Sequence, residues 1–450
     1  MKILDAVTRR DRDGRGQAAT AAAPAGDAGE APRPVRLRDG LGYCLKVFIA
    51  VRILLSVIAL ASTAVLPNNK VLTAPPNYAL PVPVGVPGWP AHVTTPGWHN
   101  LVTAWERFDG LWYLRIAAHG YANGDGSAAF YPLYPMTVRA VSFVLGGHPL
   151  AASLLVSNAC FLALLLVLFG LSRRELSEEA ARRALLYAAV FPTAFFYLAP
   201  YSESLFLLLV LLSFWWARER RWEAAGVAAA LAALTRNLGV LLVVPLAVEA
   251  LLQSRDDRRA ALAAPVSRPP SRHRAPGGER RIPVRALAWS MAPIPASGIY
   301  LWFWQRVSGD WLAPIHQQTN WQRTLSNPVS TLVKGTHEGL RWIGFYPGGY
   351  HLLDWLITVP VLVAGVYALV RFRATYGIYV WVSLLAPLSF IFASRPLMSV
   401  PRFALPLFPV YWSAARWTEG SRGRHELVLV ASAMLLGVLL LLFVNWYYVF

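Results

Sequence analysis

Acidic residues and cysteines are both scarce in this chain. Its 450 residues hold 24 Asp and Glu against 42 Lys and Arg, and only two cysteines. The cysteines, Cys44 and Cys160, fall inside apolar runs, which argues against a disulfide framework. Charged residues make up only 15% of the chain and hydrophobic ones 56%, too apolar a balance for a soluble domain of this length. The formal net charge of +18 sits in short clusters between apolar runs and forms no stripe on a soluble domain, which excludes nucleic acid as the partner it serves. Also missing are a GxxxxGK(S/T) loop, a GxGxxG fingerprint and a GxSxG elbow, the marks of nucleotide and serine-hydrolase chemistry. His119, His148, His316, His337 and His351 show no HxxH or HExxH spacing. No metal centre is predicted, and a divalent ion has no motif to support it.

What the chain has instead is long apolar runs. A membrane-spanning helix needs about 20 apolar residues, because the hydrocarbon core is about 30 Å thick. Runs 43–66, 150–171, 286–306, 352–370, 376–394 and 427–450 qualify, and shorter runs at 184–199, 204–217 and 403–416 read the same way. Run 223–252 is too long for one crossing and carries Thr235, Arg236 and Asn237 near its middle. Arginines flank both of its ends, and positive charge collects in cytoplasmic loops. The run is therefore expected to go out and return, with Arg236 at the outer turn.

The same bias puts the N-terminus in the cytoplasm. It predicts an all-α polytopic membrane protein of about eleven helices. Residues 1–42 read as a disordered basic cytoplasmic tail and 43–450 as a single membrane domain. Within it, 67–149 and 307–351 are extracytoplasmic loops and 253–285 is a cytoplasmic Pro/Arg-rich linker. No cleavable leader precedes Tyr43, so the first helix reads as a retained anchor. Segment 130–148 is expected to lie on, or dip into, the outer membrane surface. Trp446, Tyr447 and Tyr448 suit an interfacial aromatic belt.

The unusual polar residues map to the outer side. In WERFDGLWYLRIAAHGY (105–121), Asp109 stands among apolar neighbours, with Trp105, Phe108, Leu111, Trp112, Leu114 and Ile116 expected to lie at a membrane surface. Asp109 reads either as the partner of Arg107 or Arg115 or as a site carboxylate. Glu203, in FPTAFFYLAPYSESLF, suits the first turn of a helix or a polar site. Arg236 within an apolar run, and Arg402 in SRPLMSVPRFALPLFP beside Arg395, read as phosphate ligands or as interfacial snorkelling residues.

The ordered strings FDGLWYLRIAAHGY, AFYPLYP, FPTAFFYLAPYSESLFLLL and AALTRNLGVLL, with PRFALPLFP near the end, resemble the PIG-V-type mannosyltransferases, part of the lipid-linked GT-C glycosyltransferase superfamily. The resemblance runs from about Trp105 to Pro245 and leaves the N-terminal tail and the linker uncovered. It implies a GT-C-like bundle and a sugar donor carried on polyprenyl phosphate, of the dolichyl-phosphate-mannose kind. The acceptor would be a glycolipid, glycan or protein, a GPI glycolipid in eukaryotic relatives, and transfer would occur on the extracytoplasmic face. No resident cofactor is implied beyond the donor itself. Asp109 would be the catalytic base of an inverting transfer, although the aromatic before it is Phe108 where the family usually has tryptophan. Arg236 and Arg402 would hold the lipid phosphate, with Asn237 adjacent. Phe108, Trp112, Tyr201 and Glu203 would contact substrate. The rival readings are a transporter or lipid flippase and a non-catalytic assembly partner. In a bacterium the membrane would be the plasma membrane.

Overall fold

A helix lets an apolar run satisfy its own backbone donors and acceptors in lipid, and the long runs of this sequence take that form. The computed structural model describes residues 40–66, 98–263, 283–317, 323–344, 349–392 and 394–447, which belong to one unit. The expectations for residues 1–39, for 67–97 of the first loop and for 264–282 of the linker fall outside them. The longer helices are α1 (Leu41–Val65), α2 (Asp109–His119), α3 (Leu133–Val144), α4 (Pro149–Glu175), α5 (Glu178–Ala189), α6 (Glu203–Arg218) and α7 (Trp222–Thr235). They continue with α8 (Val243–Ala263), α9 (Pro293–Ser308), α10 (Pro328–Arg341), α11 (Gly349–Arg371), α12 (Ala374–Ser389), α13 (Phe408–Thr418) and α14 (Arg422–Val444). Two three-residue strands, β1 (Arg323–Leu325) and β2 (Phe390–Phe392), pair antiparallel with Arg323 opposite Phe392.

Five segments among the described residues are long and apolar enough to cross a membrane: α1, α4, Asn237–Ala263, α11 and α14. The chain is a mainly helical integral membrane protein. Five of the expected spans are single helices (α1, α4, α6, α11, α14), but four others are broken, each at an identifiable place. Run 286–306 divides into Val284–Ser290 and α9, because Pro293 has no N–H to donate back along the helix. Run 403–416 divides around Pro406, and run 184–199 stops at Ala189 ahead of Pro192. Run 376–394 leaves the helix after Ser389 to form β2.

Run 223–252 does turn back at its polar triplet. Helix α7 ends at Thr235, Arg236 is extended (φ −151°, ψ 150°), and a 3-10 turn, Asn237–Leu242, leads into α8. The reversal is tight enough to require Gly239, where a Cβ would lie 2.3 Å from the Ala233 nitrogen. The far end of α8 returns to the α6–α7 turn: Arg220 pairs with Asp257 at 2.6 Å, and Gln253 Nε2 donates to the Ala217 carbonyl of α6 at 2.8 Å.

Beside them, buried Glu249 accepts from Arg218 (3.2 Å), Arg373 (2.8 Å) and Thr375 (2.7 Å). Arg218 also reaches Glu175 at 3.0 Å. These basic residues, read from sequence as topology signals, thus also tie α4, α6, α8 and α12 together at the end of the hairpin opposite Arg236.

The aromatics of the first loop correct an expectation. Trp105, Phe108, Leu111, Trp112, Leu114 and Ile116 are all buried inside the protein rather than lying at a membrane surface. Helix α2 packs against α3 and α4, and Phe108 meets Phe443 and Trp446 (centroids 5.7 and 5.4 Å) near the end of α14. Trp446 is buried by the same contact and is no interfacial anchor. Helix α3 lies along α4 and leaves Phe143 and Val144 exposed. Both cysteines are free thiols.

Candidate active site

Helix α2 begins at Asp109 because the residue before it turns the chain sharply. Phe108 has φ 49°, a conformation that a bulky side chain rarely adopts and that is held only by surrounding structure. Its ring is clamped by Phe443 and Trp446. Neither arginine near Asp109 in sequence pairs with it. Arg107 is buried and donates to the carbonyls of Val444 (2.8 Å), Thr103 (2.7 Å) and Glu106 (3.0 Å). Arg115 pairs with Asp125 at 2.5 Å.

The partner of Asp109 comes from 293 residues downstream. Arg402, on the short helix Val400–Ala404, donates through Nη1 to Asp109 Oδ2 and through Nε to Glu203 Oε1 at 2.6 Å. Arg236 donates through Nη1 to that same Glu203 oxygen. Four residues from four separate segments thus form one chain of charges: Asp109, Arg402, Glu203, Arg236. The Arg402 guanidinium lies over the rings of Phe196 and Tyr201 (4.9 and 4.8 Å), and Arg236 lies over Phe403 (5.4 Å), contacts that suit a flat cation.

A cavity of about 470 Å³ opens beside this chain and is lined by Asp109, Arg236, Asn237 and Arg402. Its apolar side comes from Leu301 of α9, Ala386 and Pro387 near the end of α12, and Phe390 of β2. On the cavity-lining residues, Asp109 Oδ1, Arg236 Nε and Nη2, and Arg402 Nη2 make no hydrogen bond within the described residues. A carboxylate oxygen able to take a proton therefore stands beside guanidinium N–H groups able to hold an oxyanion.

The other expected substrate contacts stand behind the wall. Glu203 is 1% exposed and holds both arginines rather than facing the cavity, because it starts α6 deep in the bundle. Tyr201 is buried, with its hydroxyl donating to the Arg107 carbonyl at 2.9 Å. Trp112 is fully buried and stacks on Phe130 at 5.4 Å, so that Phe130 and not Trp112 borders the cavity. Phe108, as described, packs on α14. Arg395 is also elsewhere, paired with Asp354 of α11 at 2.6 Å.

Tyr113 and Arg323 are among the cavity residues that sequence reasoning missed. Tyr113, one helical turn after Asp109, shares its face of α2 and meets Ser202 Oγ at 2.9 Å; the i, i+4 spacing is the signal that would have found it. Arg323 lines the cavity from β1 and donates to Ser399 Oγ at 2.9 Å, and no local pattern marks it. Among the described residues no group of three or more His, Cys, Asp or Glu is placed to hold a metal ion.

The chain is similar to known proteins over part of its length. The family model described as dolichyl-phosphate-mannose-protein mannosyltransferase matches residues 132–266, a stretch that includes Glu203 and Arg236 but neither Asp109 nor Arg402. No curated protein matches. Among solved structures, ArnT from Cupriavidus metallidurans, bound to undecaprenyl phosphate, is 16% identical, with a TM-score of 0.43, covering 87% of this chain and 63% of ArnT. The Archaeoglobus fulgidus oligosaccharyltransferase in complex with Zn and sulfate is 12% identical, with a TM-score of 0.39, covering 87% of this chain and 53% of that one. AglB from the same organism, in complex with an inhibitory peptide and a dolichol-phosphate, is 12% identical, with a TM-score of 0.38, covering 87% of this chain and 56% of AglB. The chain spans between 53% and 63% of the length of these proteins, and each likeness is distant.

Proposed function

We propose that this protein is a membrane glycosyltransferase that moves a sugar, mannose, from a polyprenyl phosphate carrier to a hydroxyl of a glycolipid, glycan or protein acceptor. The observation that carries the proposal is the open Asp109 oxygen beside the uncommitted guanidinium nitrogens of Arg236 and Arg402 in one cavity. The family-model match at 132–266 and the PIG-V-type motifs in order along the chain support the donor and the sugar. A bundle of about eleven crossings with the N-terminus in the cytoplasm follows from the charge bias. It puts the cavity on the extracytoplasmic side.

In the reaction, Asp109 Oδ1 takes the proton of the acceptor hydroxyl while that oxygen forms its bond to the anomeric carbon. The bond from the anomeric carbon to the phosphate oxygen breaks on the opposite face, and the electron pair leaves with polyprenyl phosphate. Arg236 and Arg402 stabilise the charge gathering on that phosphate. One displacement inverts the anomeric centre and needs no second carboxylate. Glu203 fixes the two guanidinium groups relative to each other.

The test is transfer by the full chain in liposomes, supplied with labelled polyprenyl-phosphate mannose and a panel of glycolipid, glycan and peptide acceptors. Labelled product with one acceptor class is the expected result. Movement of labelled lipid across the bilayer without transfer to any acceptor contradicts the proposal and favours a flippase.

A further inference from the structure

Helix α10 (Pro328–Arg341) has three faces of different chemistry, and among the described residues only one is covered by protein. Its start is fixed locally: Asn327 Oδ1 accepts from the Val329 and Ser330 amides (2.9 and 3.4 Å), and Pro328 occupies the first turn, where no amide is needed. The covered face is Thr331, Gly335 and Gly339, all buried. A Cβ on Gly335 would lie 2.3 Å from Leu397 Cγ, and one on Gly339 would lie 2.9 Å from Trp355 Cβ. Small residues let the helix seat tightly against the first turns of α11 and the 395–399 segment.

With 3.6 residues per turn, the exposed arc divides in two. Val329, Val333 and Leu340 fall on one line, extended by Ile343 just past the helix end, and these four are 48–69% exposed. Beside that line run Lys334, His337 and Arg341, also exposed. A water-facing helix has no reason to keep four exposed aliphatic side chains on one line beside a basic strip. A helix lying along a bilayer surface does, because its three sides face protein, acyl chains and headgroups.

Its height in the fold agrees. Helix α11 has 23 residues, about the length that crosses the hydrocarbon core. Gly339 abuts His351 and Trp355 in the first two turns of α11, so α10 sits at the edge of the hydrocarbon. Gly335 touches Leu397, and the next residues, Met398 and Ser399, line the cavity. The edge concerned is the one on the cavity side.

We propose that α10 is an interfacial helix whose Val329, Val333, Leu340 and Ile343 line enters the lipid of the cavity-side leaflet, while Lys334, His337 and Arg341 meet its headgroups. Two residues join α10 to β1, which carries Arg323 into the cavity wall. Seating α10 in the bilayer therefore fixes the depth of one cavity wall relative to the lipid phosphates. The proposal rests on the membrane placement of the fold and not on sugar transfer.

The test is site-directed spin labelling of the full chain in liposomes containing anionic lipid. Single cysteines at 329, 333, 340 and 343 and at 330, 334, 337 and 341 are introduced in a Cys44→Ala, Cys160→Ala background, and each labelled protein is checked for a monodisperse gel-filtration peak. Collision with oxygen, which concentrates in lipid, is expected to exceed collision with a water-soluble nickel complex severalfold along the 329, 333, 340 and 343 line. The ratio is expected to reverse at 334, 337 and 341. Nickel-favoured collision along the aliphatic line, meaning water, overturns the proposal. So does low collision with both reagents, meaning a second copy of the chain or another protein. If the nitroxide side chain perturbs the helix, protein carrying the smaller bimane at position 333, in liposomes with acyl-chain nitroxide lipids, gives the same readout: unquenched bimane overturns the proposal.

Discussion

Replacing Glu203 with glutamine removes one charge from the middle of the four-residue chain and leaves the shape nearly unchanged. Oxygen Oε1 is the shared acceptor of Arg236 Nη1 and Arg402 Nε, and Glu203 is 1% exposed. Arg402 keeps Asp109 in the variant, whereas Arg236 loses the one ionic partner it has among the described residues. Breaking a buried ion pair on one side costs about 3–5 kcal/mol. The arginine side chains are 10% and 12% exposed, and cavity water takes up part of that cost, so a loss of about 3 kcal/mol is expected. Activity is expected to fall further than stability alone explains. Both phosphate-holding groups lose their common anchor, and removing one well-aimed oxyanion donor lowers turnover about 10²–10³-fold. Thermal unfolding in detergent and steady-state transfer read the two effects separately. Glu203→Asp, which keeps the charge, is expected to recover part of both. A Glu203→Gln protein that unfolds with the wild type and transfers at full rate would refute the reasoning.

Arg236→Lys keeps the charge but loses the planar fork; we expect a raised KM for the lipid donor with little change in KM for the acceptor, measured by varying each in turn. Gly239→Val pushes side-chain atoms into the backbone at Ala232 and Ala233; we expect misfolding severe enough to abolish the monodisperse peak, whereas Gly309→Asn, at an open left-handed position, should leave it intact. Chelation of divalent ions with EDTA is expected to leave transfer unchanged, because Arg402 already bridges Asp109 Oδ2 and Glu203 Oε1.

Sequence alone was a good guide where one physical demand acts on consecutive residues. Lipid demands about 20 apolar residues in a row, so α1, α4, α11 and α14 could be read directly. The turn at Arg236 was visible because a polar triplet interrupts an otherwise apolar run. It was a poor guide where side chains are chosen by distant partners. Asp109 stood out as a residue type, but its partner Arg402 lies 293 residues away, and nearby Arg107 and Arg115 are engaged elsewhere. Glu203 was expected to face substrate and instead holds two arginines from beneath, which no spacing encodes. Trp105 and Trp112 carry the composition of a membrane-surface segment, yet they are core, because burial depends on α3, α4 and α14 closing over α2. Arg323 sits on a strand of three residues whose partner, β2, unwinds from the end of an apolar run; neither element has a pattern long enough to read.

The most direct test of the account is the Asp109→Asn variant. The amide keeps the shape and the contact with Arg402 but cannot take the acceptor's proton. With folding verified by an unchanged gel-filtration profile, kcat/KM for transfer from polyprenyl-phosphate mannose is expected to fall about 10²–10⁴-fold, and Asp109→Glu should retain more activity than Asp109→Asn. Transfer by Asp109→Asn at the wild-type rate would contradict the assignment of Asp109 as the base.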